Sequence, residues 1–551
     1  MNARNGIFLG GLLLLAQLGG CDDDAKPVAD SGPDSDSDSD TDVDADTDVD
    51  TDTDTDADAG PDAGQDAGPD AATWLPGEIL YESECGGAED TPGCLFFVDG
   101  DALVDGGVSG DGLSWATALG TVQDGIDAAY AALDADMDAG VARCHVWVAE
   151  GTYYPTADAS GDTAPTDPQT MTISLRGGVN LYGGFAGDET ACDQRDVAAH
   201  GTNLSGDIGV VGDEEDNAYA IVTGADDAVL DGFTLRDGGI TAWDPCLTGY
   251  GMINNGVSPV IANCAFRDIA SGCDAGDDGA AMYNLNGAAP QAYACTFSDN
   301  SIAVENLGDT TRPLFYDCLF EQNTSWGCPG DVCAGCSAML NHQATPFVVN
   351  SRFFENSGDS HGAVCFFEGS AVFIGCLFAN NSAFSYGGGA IAVSDASVRI
   401  LDSVFFDNTF HYGGPDEFGG AISLSGTAEL IVVNSILAGD QQQIGLEDVD
   451  TDAGTSTCFA YGTDILPTGS FPCLGEGNLE VDPSFVSTDI GAVDLHLLPS
   501  SPCIDAGRSD LLPNDFLDLD GDDDRDEPWP FDLDGDPREV GCVDMGAYEA
   551  Q

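Results

Sequence analysis

The sequence predicts an all-β solenoid, a chain wound into stacked rungs. Three observations predict it: a recurring ten-residue segment, apolar columns within that segment, and a second recurring segment that begins with small residues. The first recurs as PVIANCAFRD, PQAYACTFSDN, PLFYDCLFEQN, PFVVNSRFFEN, AVFIGCLFANN, VRILDSVFFDN and LIVVNSILAGD, with a weaker copy, AVLDGFTLRDG, from Ala228. Taking Cys264, Cys295, Cys318, Ser351, Cys376, Ser403 and Ser435 as references, successive spacings are 31, 23, 33, 25, 27 and 32 residues. A period in this range marks stacked supersecondary units. Two residues after the reference stand Phe266, Phe297, Phe320, Phe353, Phe378, Phe405 and Leu437; two before it stand Ala262, Tyr293, Tyr316, Val349, Ile374, Leu401 and Val433. Alternation at period two places such residues on one face of a strand. Rungs about 4.8 Å apart would align them into internal ladders.

Five residues after the reference come Asn300, Asn323, Asn356, Asn381 and Asn408, then Asp440, with Ile269 breaking the pattern in the first copy. This predicts an asparagine ladder at a turn, where asparagine tolerates left-handed backbone and bonds to its stacked neighbours. The second segment appears as GAAMYN from Gly279, SAMLN from Ser337, GAVCFF from Gly362, GGAIAV from Gly388 and GGAISL from Gly419. Glycine before small and β-branched residues suits a tight corner entering a strand. Strands without intervening long helices favour a solenoid over βαβ units, and the hairpin turns that a propeller requires are missing.

Taken in order, residues 1–20 read as an export signal: Arg4 supplies a basic start and Ile7 to Leu18 an apolar core too short to span a membrane. Leu18-Gly19-Gly20-Cys21 resembles the lipobox of bacterial lipoproteins. That resemblance implies cleavage before Cys21, fatty acylation (palmitate among the acyl groups) of that cysteine, and export to the cell envelope. The outer membrane or cell surface is the expected destination, although Asp22 is the residue that retains some such proteins at the inner membrane. Residues 21–73 are dominated by repeats such as DSDSDSDTD and contain no aromatic residue before the folded part begins near Trp74. Such a segment buries too little apolar surface to offset its ordering entropy, and its like charges keep it extended. It reads as a disordered stalk.

Residues 74–225 hold an N-terminal cap and the first rungs, 226–445 the repeats, and 446–551 a closing segment. The repeats resemble those of right-handed parallel β-helix proteins, the pectin-lyase-like superfamily. SWATALGTVQDGIDAAYAAL from Ser114, HVWVAEGTYYPT from His145 and LRGGVNLYGGFAGDET from Leu175 resemble the opening of bacterial surface β-helix proteins, including polymorphic outer-membrane-protein-like chains. DPSF from Asp482, DLHLLPSSPCIDAG, DLDGDPREVG and VDMGAYE resemble their closing segment. The resemblance implies a right-handed parallel β-helix capped by an N-terminal helix and displayed at the surface. It does not specify an activity.

Charge narrows the partners. With 13 basic and 98 acidic residues the formal net charge is −85, and Lys26 is the only lysine. Such a surface repels phosphate backbones, which excludes nucleic acid, and it repels acidic glycans unless cations bridge the two. Of 19 cysteines, 18 remain after Cys21. An even number behind an export signal predicts disulfides. Sequence proximity suggests Cys85–Cys94, Cys246–Cys273, Cys458–Cys473 and Cys503–Cys542. Cys328, Cys333 and Cys336 contain a CxxC but no second pair or His-x-x-His, so disulfides are preferred to zinc.

For chemistry, the superfamily's lyases and hydrolases offer comparison. The Arg-x-Pro-x-x-Arg of pectate lyases and the Arg-x-Lys of polygalacturonases are both absent, so no catalytic residue is carried over. Aligned on the Gly-Ala corner, Asp359, Tyr386 and Glu417 share a column, with His361 two positions after Asp359. Two carboxylates and an imidazole on one face would suit acid–base work or glycan binding. A metal is expected in the C-terminal run DFLDLDGDDDRDEPWPFDLDGDP. There Asp518, Asp520, Asp522, Asp524 and Asp526, then Asp532, Asp534 and Asp536, offer the oxygen ligands that calcium takes. The reading is a monomeric, non-enzymatic surface lipoprotein, adhesin-like or binding a glycan or surface protein along one face. The alternatives are a polysaccharide lyase or hydrolase and a structural spacer.

Overall fold

The computed structural model describes Cys85 and residues 94–103, 110–136, 143–239, 249–269, 279–325, 335–385, 387–411, 419–440, 444–447, 456–465, 473–489, 492–520, 524–538 and 540–550. The export signal, Cys21, the stalk, Cys246, Cys273, Cys328, Cys333, Tyr386, Glu417 and Asp522 lie outside these residues. Each complete rung gives one strand to each of three long parallel sheets, of 12, 11 and 10 strands. The first sheet runs from Leu95–Val98 to Thr457–Tyr461, the second from Gly151–Tyr153 to Asp464–Ile465, and the third from Ile173–Ser174 to Ile444–Glu447. This is the right-handed parallel β-helix that the repeats predicted. The winding continues to Ile465, past the boundary placed at 446, because the last turns lack the phenylalanine and asparagine that mark the earlier ones.

Corners explain the repeat's polar residues. Between first-sheet and second-sheet strands, Asn263, Ala294, Asp317, Asn350, Asp402 and Asn434 have φ between 46° and 51°. After the second-sheet strand, Asp268, Asp299, Gln322, Glu355, Asn380 and Asp407 have φ between 53° and 57°. Asn286, Gln343, Glu368 and Asp395 are also left-handed, with φ from 53° to 62°, after third-sheet strands. Short polar side chains relieve some of the strain of this conformation.

The asparagine ladder is present, but it does not occupy the left-handed position. The preceding residue takes that conformation, which turns Asn300, Asn323, Asn356, Asn381 and Asn408 inward and buries them. Each amide nitrogen donates to the side-chain oxygen of the next rung at 2.9–3.1 Å, ending on Asp440. Each also donates to a phenylalanine carbonyl one rung back, as Asn408 does to Phe378 at 3.0 Å. A second ladder, invisible in the first repeat, links Asn254, Asn284, Asn306 and Asn341 through the third sheet at 2.8 Å per step.

The phenylalanine column stacks as expected. Phe266, Phe297, Phe320, Phe353, Phe378 and Phe405 are fully buried, with successive ring centroids 4.7, 4.9, 4.6, 4.5 and 4.6 Å apart. In-register pairing fixes this spacing, since Phe320 sits opposite Phe353 and Phe353 opposite Phe378. The N-terminal end is closed by helix α1, Val122–Asp136. Val122, Ile126 and Ala129 recur at helical spacing and are buried, while the Thr121 hydroxyl caps the helix by accepting from the Asp124 amide at 3.0 Å. Gly125 permits the crossing, because a Cβ there would lie 2.5 Å from Val98 Cγ2.

The closing segment turns back over the outside of the helix. Leu517 and Trp529 pack on Tyr293, Leu314, Val349 and Ile374 outside the first sheet. Phe485, Leu495, Leu533 and Met545 pack on Leu377, Val404 and Ile436 outside the second. Arg538, 1% exposed, ties this segment down: its guanidinium reaches Asp402 Oδ1 at 3.0 Å and the carbonyl of Gly546 at 2.7 Å.

Disulfides correct two of the expected pairings. Cys85 is joined to Cys192 and Cys94 to Cys144, because stacking brings distant strands closer than chain neighbours. Cys503 is a free buried thiol with its sulfur 3.4 Å from Asp464 Oδ2, so it is not bonded to Cys542. Cys458 is joined to Cys473, and Cys336 to Cys365, which takes Cys336 out of the CxxC reading. Among the described residues no helix is long and apolar enough to cross a membrane.

Candidate functional site

Strand alternation divides each third-sheet segment into inward and outward residues. In Met282–Leu285, Met282 and Asn284 are buried while Tyr283 and Leu285 face out. Parallel register then aligns outward columns. One runs Tyr283, Glu305, Leu340, Cys365, Ala392, Ser423; the next runs Leu285, Leu307, His342, Phe367, Ser394, Ser425. Tyr250 stacks on Tyr283 with centroids 4.9 Å apart and planes 8° from parallel. His342 stacks on Phe367 at 5.2 Å. Leu307 is 38% exposed between these ring pairs. The closing segment covers parts of the first and second sheets, whereas among the described residues none of it packs on this third face.

A cavity of about 220 Å³ sits on this face, lined by His361, Phe367, Ala392, Ser394, Ser423 and Ser425 among others. At the Gly-Ala corner next to His361, Gly362 lies so close to the Gly389 carbonyl that any Cβ would overlap it. Burial pulls the His361 imidazole below its ordinary value, which leaves it neutral near pH 7. Burial does the same to His342. Asp359 is half-buried at the same corner, two residues before His361. Tyr386 and Glu417, the other members of that predicted column, lie outside the described residues. Among the described lining residues His361 is the one titratable group. An aromatic and hydroxyl-bearing face with a neutral imidazole can stack on and hydrogen-bond a ligand.

The Asp-rich run divides into two parts. Asp532 is buried and its carboxylate is fully engaged: it accepts from the amides of Asp534, Asp536 and Glu549 at 2.8–3.0 Å. Asp534 bonds to His496 Nε2 at 2.7 Å, and Asp536 is exposed. This second set therefore folds a turn and does not converge on a common point. Asp524 caps the Asp526 amide at 3.1 Å, and both are exposed. Asp518 is buried at φ 56°. The carboxylates that do converge are Asp515, Asp520 and Glu527, whose oxygens lie within 4.8 Å of one another. Of these only Asp520 belonged to the alternating pattern. Asp515 and Glu527 carry no periodic signal; they meet because the Asp515 amide donates to the Glu527 carbonyl at 2.7 Å and the Trp529 amide to the Pro513 carbonyl at 2.8 Å.

No family model matches the chain, and no curated protein matches it. Among solved structures it is similar to the pectate lyase Pel9A, at 12% identity and a TM-score of 0.42, covering 88% of this chain and 100% of that one. It is also similar to the A-module of the Azotobacter vinelandii mannuronan C-5 epimerase AlgE6, at 15% identity and a TM-score of 0.30, covering 66% and 98%. A third likeness is to tailspike protein 3 of bacteriophage CBA120, at 12% identity and a TM-score of 0.24, covering 64% of this chain and 55% of that one. These likenesses are ones of fold.

Proposed function

We propose that this chain is an exported bacterial lipoprotein, anchored through Cys21 at the outer membrane or cell surface, whose β-helix binds a carbohydrate along the outer face of the third sheet without cleaving it. The observation that carries the binding reading is the pair of outward ring stacks, Tyr250 on Tyr283 and His342 on Phe367, the second of which is followed in its column by Ser394 and Ser425. Flat ring faces suit the C–H faces of sugar rings, and flanking hydroxyls suit their polar edges. The net charge of −85 favours a neutral glycan, or an acidic one bridged by divalent cations.

The test uses the chain with Cys21→Ser, which removes the acylated thiol, on a panel of neutral and acidic polysaccharides with and without calcium. Retention without cleavage is expected, weakened by about tenfold in Tyr283→Ala or Phe367→Ala. Cleavage would establish the lyase or hydrolase alternative and turn attention to Asp359, His361 and Glu417. Retention by neither class of glycan would overturn the reading in favour of a protein partner or a spacer. Fatty-acid labelling of the unaltered chain, abolished by Cys21→Ser, tests the anchor.

A further inference from the structure

We infer that Asp515, Asp520 and Glu527 form a calcium site that clamps the closing segment onto the outside of the first sheet. Calcium holds its oxygen ligands at about 2.3–2.6 Å, so ligands on opposite sides of one ion lie up to roughly 5 Å apart. These three carboxylates offer oxygens that all lie within 4.8 Å of one another, close enough for one ion to touch all three. All three donors are carboxylate oxygens, which suits a hard cation and excludes a nitrogen- or sulfur-seeking one.

The second observation concerns Asp515 itself. Its side chain is fully buried; Oδ2 accepts from the Leu519 amide at 2.6 Å, while Oδ1 has no hydrogen-bond partner. A buried carboxylate oxygen without a donor is costly, and a cation shared with Asp520 and Glu527 would compensate it.

The position gives the ion a structural consequence. The 515–527 loop is closed at its base by the Asn514–Pro528 bridge. Its Phe516, Leu517 and Leu519, with Trp529, are the apolar groups that seal the outside of the first sheet. An ion across that base would hold the loop in the conformation that presents them. This is independent of the ligand-binding face of the third sheet.

Trp529 supplies a local probe, since it lies two residues beyond Glu527 on the same bridge. The experiment titrates the full chain, freed of metal by a chelator, with terbium, exciting through tryptophan, and then competes with calcium. Saturable emission displaced by calcium is expected, together with a calcium-dependent rise in melting temperature. Asp520→Asn, at an exposed position, should weaken competition by about tenfold or more. Asp515→Asn should do the same, and Trp529→Phe should remove the emission without abolishing the calcium-dependent rise. Asp534→Asn should leave both unchanged. Emission that survives Trp529→Phe, or titrations of Asp520→Asn that match the parent, would place the ion elsewhere and overturn the inference.

Discussion

The asparagine ladder ends on a carboxyl, and that end makes a sharp prediction. Asp440 is 1% exposed and accepts from the Asn408 amide at 2.6 Å and the Asn408 side chain at 3.1 Å, all through Oδ1. Its Oδ2 is buried without a partner. In the five preceding rungs, from Asn300 to Asn408, the corresponding atom is an amide nitrogen that donates to a phenylalanine carbonyl one rung back. By that repeat, Oδ2 faces the carbonyl of Phe405, where a proton is wanted and a negative charge is not. Burial accordingly pushes the Asp440 carboxyl up to about 8. The sign follows from linkage. Below an ordinary aspartate value of about 4 both folded and unfolded states hold the proton, and no penalty arises. As pH rises from there, the unfolded chain releases the proton and the folded chain keeps it, so stability falls until the folded value is passed. Four pH units at about 1.4 kcal/mol each give a ceiling on the order of 5 kcal/mol. Asp440→Asn supplies the missing donor and cannot ionise. It should therefore gain on the parent steadily between about pH 4 and pH 8, then hold a constant advantage. Because rungs of a solenoid open by neighbour-coupled steps, the fitting assay is hydrogen exchange at the Asn408 amide, corrected for intrinsic rates. An advantage for Asp440→Asn that is the same at about pH 5 and pH 8, or a loss of protection at the higher pH, would refute the reasoning.

Other perturbations test other parts of the fold. Arg538→Met leaves Asp402 buried and uncompensated, and should cost about 3–5 kcal/mol, read as earlier release of the closing segment in limited proteolysis across urea. Adding Asp402→Leu should recover much of that loss, and failure to recover would remove the ion pair as the cause. Phe320→Ala removes a ring stacked on both neighbours and should cost roughly 3–5 kcal/mol in urea unfolding, against a smaller loss for Phe320→Leu. At His496, burial pulls the imidazole down, but hydrogen bonds to Asp494 and Asp534 outweigh it and the net shift is upward. This contact's stabilisation is full below the unfolded histidine value and fades as pH rises through the folded one. His496→Gln should flatten that part of the pH profile, by a modest amount because the side chain is 44% exposed.

The repeat was legible because a parallel β-helix places equivalent residues directly above one another. The phenylalanine column and the asparagine ladder were visible as fixed offsets from the references Cys264 to Ser435, and the Gly-Ala corners as a second recurring segment. The ring-bearing outer face of the third sheet was half visible, since alternation in MYNL sets Tyr283 against Met282. Its stacking needed the register of neighbouring rungs. The left-handed corner was misplaced by one residue, because sequence offers several polar candidates per turn and only the backbone path selects Asp299 over Asn300. Asn254, Asn284, Asn306 and Asn341 went unread because Asn254 and Asn306 lie in YGMINN and VENL, which lack the Gly-Ala or Ser-Ala entry of the second recurring segment, so only the register aligns the four.

The amino-acid sequence by itself determined the winding, its internal ladders and the extreme acidity, because each is a property of local period or of composition. Only the tertiary structure decided which cysteines meet, which sheet faces are covered and which carboxylates converge. Cys94 meets Cys144 across a rung, and Asp515 meets Glu527 across the base of a loop. The first contact follows from the in-register stacking of two rungs, and the second arises where a segment folds back on the finished solenoid; neither is a property of local period.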